Sequence, residues 1–452
     1  MSAGSLHPES SSRKGSSRQA SLALALPLLV LSICLALVSD LSHRLALALA
    51  LLGLGFLWLA FAARRLETAA RPGGAILLGS LLLRLPLLLL PLTLSDDALR
   101  YLWDGRVALA GRNPYALPPA APELIPFRDE AWQRLPHTDV PTVYPPLSIA
   151  VFSIASRLPF PGWKPLLAWK LLATAADLGT CALLLRLARQ RGLPEGRTAW
   201  YAWNPLVVLE VSGMGHVDAL GVAATVAAVL ALTRGKEVAA GVWAAAGALA
   251  KIVPVAALPM WTRQSGARLL GTAAVLIAAA VLPVIAATGG IPPGLLTYGL
   301  SWEFNGPVYE PLWRLMSAAG LAPALARGLE ALERRTEMWY AWDWVYPYLY
   351  PQLLAKLLLA AGMAVAVLRS LRETDPVAGT GRLFGTLLLL SATVYPWYLL
   401  WVLPWAALLR QRAWLALSGL ILLSYWSPLW PWVFLAIWVP FALLRIKGGG
   451  RP

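Results

Sequence analysis

Long apolar runs constrain this chain more than any other feature of its sequence. Runs of about 17–25 residues recur from Ala20 to Leu444, and most are long enough to cross a bilayer as a helix. Only 13% of the residues are charged, against roughly 25% in a soluble domain, so the sequence excludes a soluble fold. The candidate spans are about 20–39, 45–63, 74–94, 145–160, 165–188, 198–213, 217–233, 238–259, 268–288, 351–369, 383–397, 398–410, 413–426 and 430–445.

These spans predict an all-α polytopic membrane protein, a bundle of roughly 12–14 membrane helices. We expect a disordered cytoplasmic tail at residues 1–19, a single membrane domain at 20–446 and a second cytoplasmic tail at 447–452. The net charge of +15 is spread over short loops. That distribution favours anionic lipid and membrane topology, and not nucleic acid, as its cause.

The basic short loops set the predicted orientation, because Lys and Arg collect on the cytoplasmic side. Three crossings from a cytoplasmic N-terminus place the polar segment 95–144 outside, and the long loop 289–350 falls on the same side. An odd number of membrane crossings must join an outer segment to a cytoplasmic basic loop, and in two places the apolar segments give an even number. We therefore expect 145–160 and 238–259 to be re-entrant or broken. Prolines interrupt both segments, and Lys251 interrupts the second. Non-helical backbone at membrane depth survives only beside protein or a wet cavity, so the two breaks predict a cavity.

Two adjacent carboxylates stand where the chain leaves its third apolar run, in the stretch LTLSDDALRYLWDG. A helix from Asp96 would place Asp97, Tyr101 and Asp104 on one face by their i, i+4, i+7 spacing. Acidic residues stabilise a helix N-terminus through its dipole, which is one hypothesis for the pair. The other is chemical, a general base or a cation ligand at the membrane surface. The residues alone leave both open.

A second stretch, WNPLVVLEVSGMGHVDALG, carries polar groups through an apolar hairpin. Ionisable residues inside spans are costly and usually mark function. The structural alternative is that His216 bonds a backbone carbonyl and Asp218 caps the following helix. The polar residues of this hairpin are Asn204, Glu210, His216 and Asp218.

Basic residues also interrupt apolar runs at Arg84 and Lys251. Either side chain could reach the membrane surface along its own aliphatic stem, or hold a phosphate group. Arg100 lies four residues after Asp96 and could pair with it. Lys170 and Asp177 lie on one face of their span, and an internal pair between them is plausible.

The long loop contains YGLSWEFNGPVYEPLW, in which Glu303, Asn305 and Tyr309 stand among aromatic rings. Ring faces with nearby carboxylates and amides are a common way to grip sugars. An aromatic belt at the membrane interface explains the same composition equally well. Tyr395, in VYPWYLLWVLP, poses the same choice.

Six motifs, taken in order, resemble those of membrane glycosyltransferases of the GT-C fold. They are SDDALRYLWDGRVALAGRNPYALPP, YPPL, WNPLVVLEVSGMGHVDAL, KIVP, WEFNGPVYEPLW and YPWYLLWVLP. More narrowly, the chain resembles the bacterial polyprenol-phosphate-mannose-dependent mannosyltransferases and their uncharacterised relatives. The resemblance runs from about residue 80 to residue 440.

The resemblance implies an inverting transfer of a hexose, with mannose expected, from a polyprenyl phosphate. In this fold the first long external loop carries the catalytic carboxylate, which implies Asp96 or Asp97 as the general base. Position and charge suggest Arg100, Lys251 and Arg84 for the donor phosphate. The residues expected to line the substrate site are Tyr101, Asp104, Tyr144, Asn204, Glu210, His216, Asp218, Glu303, Asn305, Tyr309 and Tyr395.

The expected partners are the lipid-linked sugar donor, a glycolipid, glycan or protein acceptor, and the bilayer. The expected location is the inner (cytoplasmic) membrane, with several spans and the active site on the external, periplasmic side. Adjacent carboxylates can hold Mg²⁺ or Mn²⁺, but a lipid monophosphate has less charge than a pyrophosphate, so a metal requirement stays open. The alternative function is a polytopic transporter or lipid flippase, although neither half of the sequence repeats the motifs of the other.

Overall fold

The computed structural model describes residues 19–158, 165–426 and 429–448, and these residues are predominantly α-helical. Within these ranges the only extended pairing consists of isolated bridges from Phe304 and Asn305 to Thr393. The predicted all-α class is therefore confirmed. The tail expected at residues 1–19 lies outside the described residues except for Gln19, which belongs to the first helix. The last helix extends to Gly448, and the rest of the tail expected at 447–452 lies outside the described ranges.

Eighteen helices of seven residues or more are labelled here in chain order within the described ranges. The first nine are α1 (Gln19–Val38), α2 (Leu45–Thr68), α3 (Gly73–Leu88), α4 (Asp97–Leu109), α5 (Pro146–Arg157), α6 (Pro165–Gln190), α7 (Asp218–Leu232), α8 (Glu237–Ala250) and α9 (Leu258–Ser265). The others are α10 (Ala267–Thr288), α11 (Pro293–Ser301), α12 (Tyr309–Ala318), α13 (Leu321–Thr336), α14 (Pro351–Ser370), α15 (Pro376–Leu389), α16 (Leu403–Leu409), α17 (Arg412–Leu420) and α18 (Trp432–Gly448).

Among the described residues, five helices are long and apolar enough to cross a membrane, namely α1, α2, α6, α10 and α14. The most apolar stretch of α10 is only 11% buried by protein, whereas half of the α6 stretch is buried. Several Leu and Val side chains on α10 are exposed on the protein surface. Their exposure would be unfavourable in water but is favourable in contact with lipid tails. α10 therefore lies at the lipid-facing rim, and α6 lies inside the bundle.

The predicted span 238–259 is broken where Lys251 and Pro254 interrupt it. α8 ends at Ala250, Lys251 is extended (φ −153°, ψ 139°), and a short 3₁₀ turn, Val253–Ala257, leads into α9. The predicted span 198–213 is also discontinuous, because Pro205 follows an extended Asn204 and separates two short helices. The breaks bring backbone turns and polar side chains to the interior of the bundle.

Residues 110–144, the part of the polar segment that follows α4, fold back over α4, which packs against α5. A small core forms around Trp103, Leu124 and Leu135. Gly105 permits the close crossing of the two helices, since a Cβ atom at this position would lie 2.5 Å from the carbonyl carbon of Phe152. This packing fixes the N-terminus of α4, where the two carboxylates stand.

Candidate active site

A cavity of about 540 Å³ opens beside the N-terminus of α4. Its polar wall includes Asp97, Lys251, Tyr298 and Tyr398. An apolar flank of the same cavity is formed by the broken α8–α9 segment and by α10, through Ile252, Val255, Ile277, Val281 and Val284. The cavity thus joins a polar end to an apolar flank.

The two adjacent carboxylates have different surroundings. Asp96 forms an ion pair with Arg134, and the two side chains are 35% and 52% exposed. Asp97 is the first residue of α4 and lines the cavity, with its Oδ2 atom 3.8 Å from Nδ1 of His216. Within the described chain, the Asp96 carboxylate makes no capping hydrogen bond to α4. Asp97 stands in the first turn of α4, where the helix dipole favours a carboxylate, and this placement is compatible with a chemical role at the cavity.

Behind Asp97 lie the fully buried side chains of His216 and Glu210. Nε2 of His216 is 3.2 Å from Oε2 of Glu210. The Tyr425 hydroxyl donates to the same carboxylate, at 2.9 and 3.1 Å from its two oxygens. Glu210 belongs to a single π-helical turn, Leu209–Gly213, a backbone irregularity that is frequent at functional sites. His216 therefore lies between the carboxylates of Asp97 and Glu210.

Lys251 reaches the cavity from the break between α8 and the 3₁₀ turn that follows. Its Nζ atom is 3.1 Å from Oδ2 of Asp218, whose other oxygen accepts a 2.6 Å hydrogen bond from the Trp401 indole. The rings of Tyr144 and Tyr398 lie 5.8 and 5.7 Å from the ammonium group, within the range of cation–π attraction. Lys251 is 20% exposed, so a charged group is presented to the cavity.

Arg100 also borders the cavity, but its donors serve the surrounding loop. Nε donates to Asp104 at 2.9 Å, and the terminal nitrogens donate to the carbonyls of His137 and Val140 at 2.8 and 2.6 Å. Burial raises the pKa of the Asp104 carboxyl, although Arg100 beside it favours the ionised form. Through the two carbonyl bonds Arg100 holds α4 to the loop that follows it.

Four aromatic rings stack in sequence towards the centre of the site. Phe304 stacks on Tyr395 with centroids 4.5 Å apart, Tyr395 on Trp397 at 4.5 Å, and Trp397 on His216 at 3.8 Å. The planes within each pair are within 17° of parallel. The long loop is thereby connected to the imidazole of His216, and Tyr395 and Trp397 line the cavity.

Three predicted loop residues lie outside the cavity lining. Glu303 pairs with Lys356 at 2.8 Å. Asn305 takes a positive φ of 54° and accepts a 2.9 Å hydrogen bond from the Trp438 indole. Tyr309 is fully buried against α14. These residues shape the loop.

Three other predicted residues are also placed in the protein core. Arg84 is fully buried against Asp177, at 2.5 Å. Asn204 caps a short helix by accepting from the Leu206 amide at 3.1 Å. Tyr101 packs among aromatic rings next to the site. Arg84, Asn204 and Tyr101 are absent from the cavity lining.

Residues missed by the sequence reasoning are Arg134, Trp401 and Tyr425. Trp and Tyr in apolar runs are indistinguishable in sequence from membrane-interface residues, so nothing local signals the roles of Trp401 and Tyr425.

The backbone of the segment Ala392–Val394 pairs with Phe304 in the WEFN motif. Within the described ranges, no group of three His, Cys, Asp or Glu residues is arranged to hold a metal ion.

The known proteins that this chain resembles are mannosyltransferases. The family model described as alpha-(1->6)-mannopyranosyltransferase, N-terminal domain, matches residues 14–267, more than half of the chain. Alpha-(1->6)-mannopyranosyltransferase A of Mycobacterium tuberculosis is 28% identical over 362 residues, covering 74% of this chain and 66% of the relative, just under two thirds of its length. No solved structure matches. The matched family region contains Asp97, His216 and Lys251, and the chain belongs to the alpha-(1->6)-mannopyranosyltransferase family.

Proposed function

We propose that this protein is a membrane mannosyltransferase that moves mannose from a polyprenyl-phosphate donor to a glycolipid, glycan or protein acceptor. The observation that carries the proposal is the cavity in which a carboxylate and an ammonium group face one space beside an apolar flank. Family membership supports the sugar transfer. A lipid donor suits the apolar flank, because its tail can lie along α10 while its phosphate reaches the polar end.

In the proposed reaction Asp97 is the general base. Its carboxylate removes the proton of the acceptor hydroxyl, and the hydroxyl oxygen attacks the anomeric carbon as the sugar–phosphate bond breaks. Direct displacement of this kind inverts the configuration at that carbon. A base within hydrogen-bond reach contributes roughly 10²–10⁴-fold to such a step. Asp96, held by Arg134, supports the loop instead.

Lys251 is proposed to stabilise the departing lipid phosphate. A fixed cation in a site with little water is effective because it requires no reorganisation as charge develops. Asp218 and Trp401 hold the lysine in place from the side away from the cavity. Arg100 contributes positive potential but has committed its donors to Asp104 and to loop carbonyls.

We further propose that the cavity opens on the external side of the inner membrane. The polar segment 95–144 borders the cavity. The ion pair of Arg191 with Asp375 joins two short basic loops, 191–197 and 371–375, and short loops rich in Lys and Arg favour the cytoplasmic side. A reporter fused at Gly192 tests this orientation. Cytoplasmic reporter activity is expected, and external activity would reverse the assignment.

The test of function uses purified protein in lipid, radiolabelled polyprenyl-phosphate mannose and a membrane glycolipid extract, with and without a chelator. Wild type is expected to move label into product. Asp97→Asn is expected to lose roughly 10²–10⁴-fold of that rate, and Asp96→Asn, the matched control, to keep most of it. Undiminished transfer in both variants would remove Asp97 as base. Wild type that moves no label but flips the donor across vesicles would establish the flippase alternative.

A further inference from the structure

The buried imidazole of His216 lies between two carboxylates. Nδ1 is 3.8 Å from Oδ2 of Asp97, and Nε2 is 3.2 Å from Oε2 of Glu210. Neither nitrogen completes a well-aligned hydrogen bond among the described residues. Leaving buried polar atoms without partners is costly, so such groups in native proteins need an explanation, and a catalytic role is one. The sequence placed His216 and Glu210 among substrate-binding residues, whereas both lie behind the cavity wall.

The surroundings fix how this ring is oriented. Trp397 stacks on it at 3.8 Å with 13° between planes. The Tyr425 hydroxyl donates to both oxygens of Glu210, which keeps that carboxylate an acceptor. Glu210, 3.2 Å from Nε2, is an acceptor towards which an Nε2–H can turn. In that tautomer Nδ1 carries the lone pair and faces Asp97.

We propose that His216 acts through Asp97 in the transfer reaction and receives from it the proton taken from the acceptor. This inference rests on the proposed function and deepens it. The ring stack from Phe304 through Tyr395 and Trp397 ends on this imidazole, so the long loop also helps to set its position.

The proton balance is simple. The acceptor O–H bond breaks, its proton bonds to Asp97, and its oxygen forms the new bond to the anomeric carbon. The electron pair of the broken sugar–phosphate bond stays on the lipid phosphate. The proton then passes from Asp97 to Nδ1 of His216, which restores the carboxylate and gives an imidazolium between two negative charges. When products leave and water enters the cavity, the proton returns through Asp97 to water.

A short side-chain movement separates Asp97 and His216 from a hydrogen bond, which forms once Asp97 carries the proton. A shift of about 1 Å brings the 3.8 Å separation into the hydrogen-bond range of roughly 2.7–3.2 Å. Catalytic hydrogen bonds are often long in the free enzyme and shorten in the substrate complex. Asp97 is at the first turn of its helix and is 28% exposed, so its side chain has room to rotate.

The experiment measures kcat, donor KM and the pH profile of transfer by the full-length protein in lipid. The variants are His216→Gln and Glu210→Gln, with His43→Gln as the matched control, since His43 is exposed and contacts Asp40 away from the cavity. We expect His216→Gln to lower kcat roughly 10²-fold with unchanged donor KM, and Glu210→Gln to act in the same direction. His43→Gln should match wild type.

The pH profile distinguishes proton transfer from packing. An unprotonated Nδ1 is needed to receive the proton, so the acidic limb of the wild-type kcat profile should change in His216→Gln. The groups that face His216 or its direct partner are Asp97, Glu210 and Tyr425, with the Lys251–Asp218 pair nearby. All of these remain in the His216→Gln variant, which isolates the contribution of the imidazole.

Several outcomes would overturn the inference while leaving the function intact. In the first, His216→Gln and Glu210→Gln both keep the kcat and the pH profile of the wild type, while Asp97→Asn is inactive. Another is a raised donor KM with unchanged kcat, which would make His216 a binding residue. If His216→Gln fails to fold, Tyr425→Phe is measured in its place, because it removes only the hydroxyl that donates to Glu210. The inference predicts a lower kcat in Tyr425→Phe, and a wild-type kcat would contradict it. Failure of wild-type transfer itself would instead reject the proposed function.

Discussion

Two groups of buried charge occupy the interior of this bundle, and they differ in how completely their polar atoms are paired. The closed cluster consists of Arg84, Asp177 and Tyr201. Arg84 donates to Asp177 and to the carbonyls of Ser80 and Ala202, and the Tyr201 hydroxyl donates to the other Asp177 oxygen at 2.6 Å. Its charged side chains are fully buried.

The open cluster consists of Asp97, Glu210, His216, Asp218 and Lys251. It borders a cavity, exposes parts of Asp97 and Lys251, and leaves both ring nitrogens of His216 without well-aligned partners in the described chain. A satisfied buried network stabilises one conformation, whereas an unsatisfied one beside a cavity has bonding capacity left for a ligand. The contrast identifies the closed cluster as structural and the open cluster as the candidate for chemistry.

The largest expected effect is on protein stability, when one carboxylate is neutralised in each cluster. Asp177→Asn leaves the Arg84 charge buried without its counter-ion, which typically costs roughly 3–5 kcal/mol. Asp97→Asn, the same chemical change at a partly exposed position, should cost far less. Thermal unfolding in detergent compares the two variants with wild type. Equal destabilisation by both substitutions would contradict the distinction between a closed and an open cluster.

A double variant tests whether the closed cluster has only a structural role. Arg84→Met combined with Asp177→Leu removes both charges, and replacing a buried ion pair by apolar groups is often neutral or stabilising. The double variant should therefore unfold at a higher temperature than Asp177→Asn. Donor KM should stay unchanged, because Arg84 lies outside the cavity lining.

The next effect concerns the cation of the open cluster. Lys251→Met should lower kcat by roughly 10²–10³-fold, the size typical of a lost group that stabilises developing negative charge. Lys251→Arg should recover part of the rate, since it keeps the charge. Lys356→Met is the control: Lys356 also pairs with a carboxylate and lies 5.9 Å from a tyrosine ring, but is outside the cavity lining. Equal losses in the two Met variants would show a general cost of removing buried lysines.

Parts of this comparison were predictable from sequence. Apolar length predicted the all-α membrane class, and Lys251 with Pro254 predicted the break after α8, because both features act over a few residues. The polar hairpin drew attention to His216 and Asp218, since charges in apolar runs are costly wherever they lie in the fold.

The partners of these charges were not predictable, because they are distant in sequence. The spacing rules find partners only on the same helix, and they suggested Asp96 with Arg100 and Lys170 with Asp177. In the structure Asp96 pairs with Arg134, and Asp177 pairs with Arg84 from another helix. Lys170 donates to the Leu90 carbonyl, and Tyr425 reaches Glu210 from 215 positions away.

A smaller effect is expected where the acidic pair meets solvent. The Asp96–Arg134 pair is partly exposed, and exposed pairs contribute roughly 0–1 kcal/mol. Asp96→Asn and Arg134→Gln should each change the transfer rate by less than about fivefold, which corresponds to that energy. Rates measured beside Asp97→Asn test this. A loss in Asp96→Asn comparable to that in Asp97→Asn would mean that the two carboxylates act together.

The smallest effect concerns a charge pair outside both clusters, Asp375 with Arg191. Burial disfavours the ionised Asp375, but hydrogen bonds from Arg191 and from the Val377 amide outweigh it and lower the pKa of this carboxyl. A lowered pKa in the folded state gives stability that is present above the unfolded pKa of about 3.9 and is lost as pH falls through the folded value.

Asp375→Asn removes this linkage but keeps an effective N-cap for α15. The variant should therefore be slightly less stable than wild type near neutral pH, and the two unfolding temperatures should converge as the pH falls below about 4. Transfer should be unchanged at neutral pH, because neither Asp375 nor Arg191 lines the cavity. A stability difference that persists in acid would assign the effect to packing at the start of α15. A change in transfer would show that charge outside the cavity also controls the open cluster.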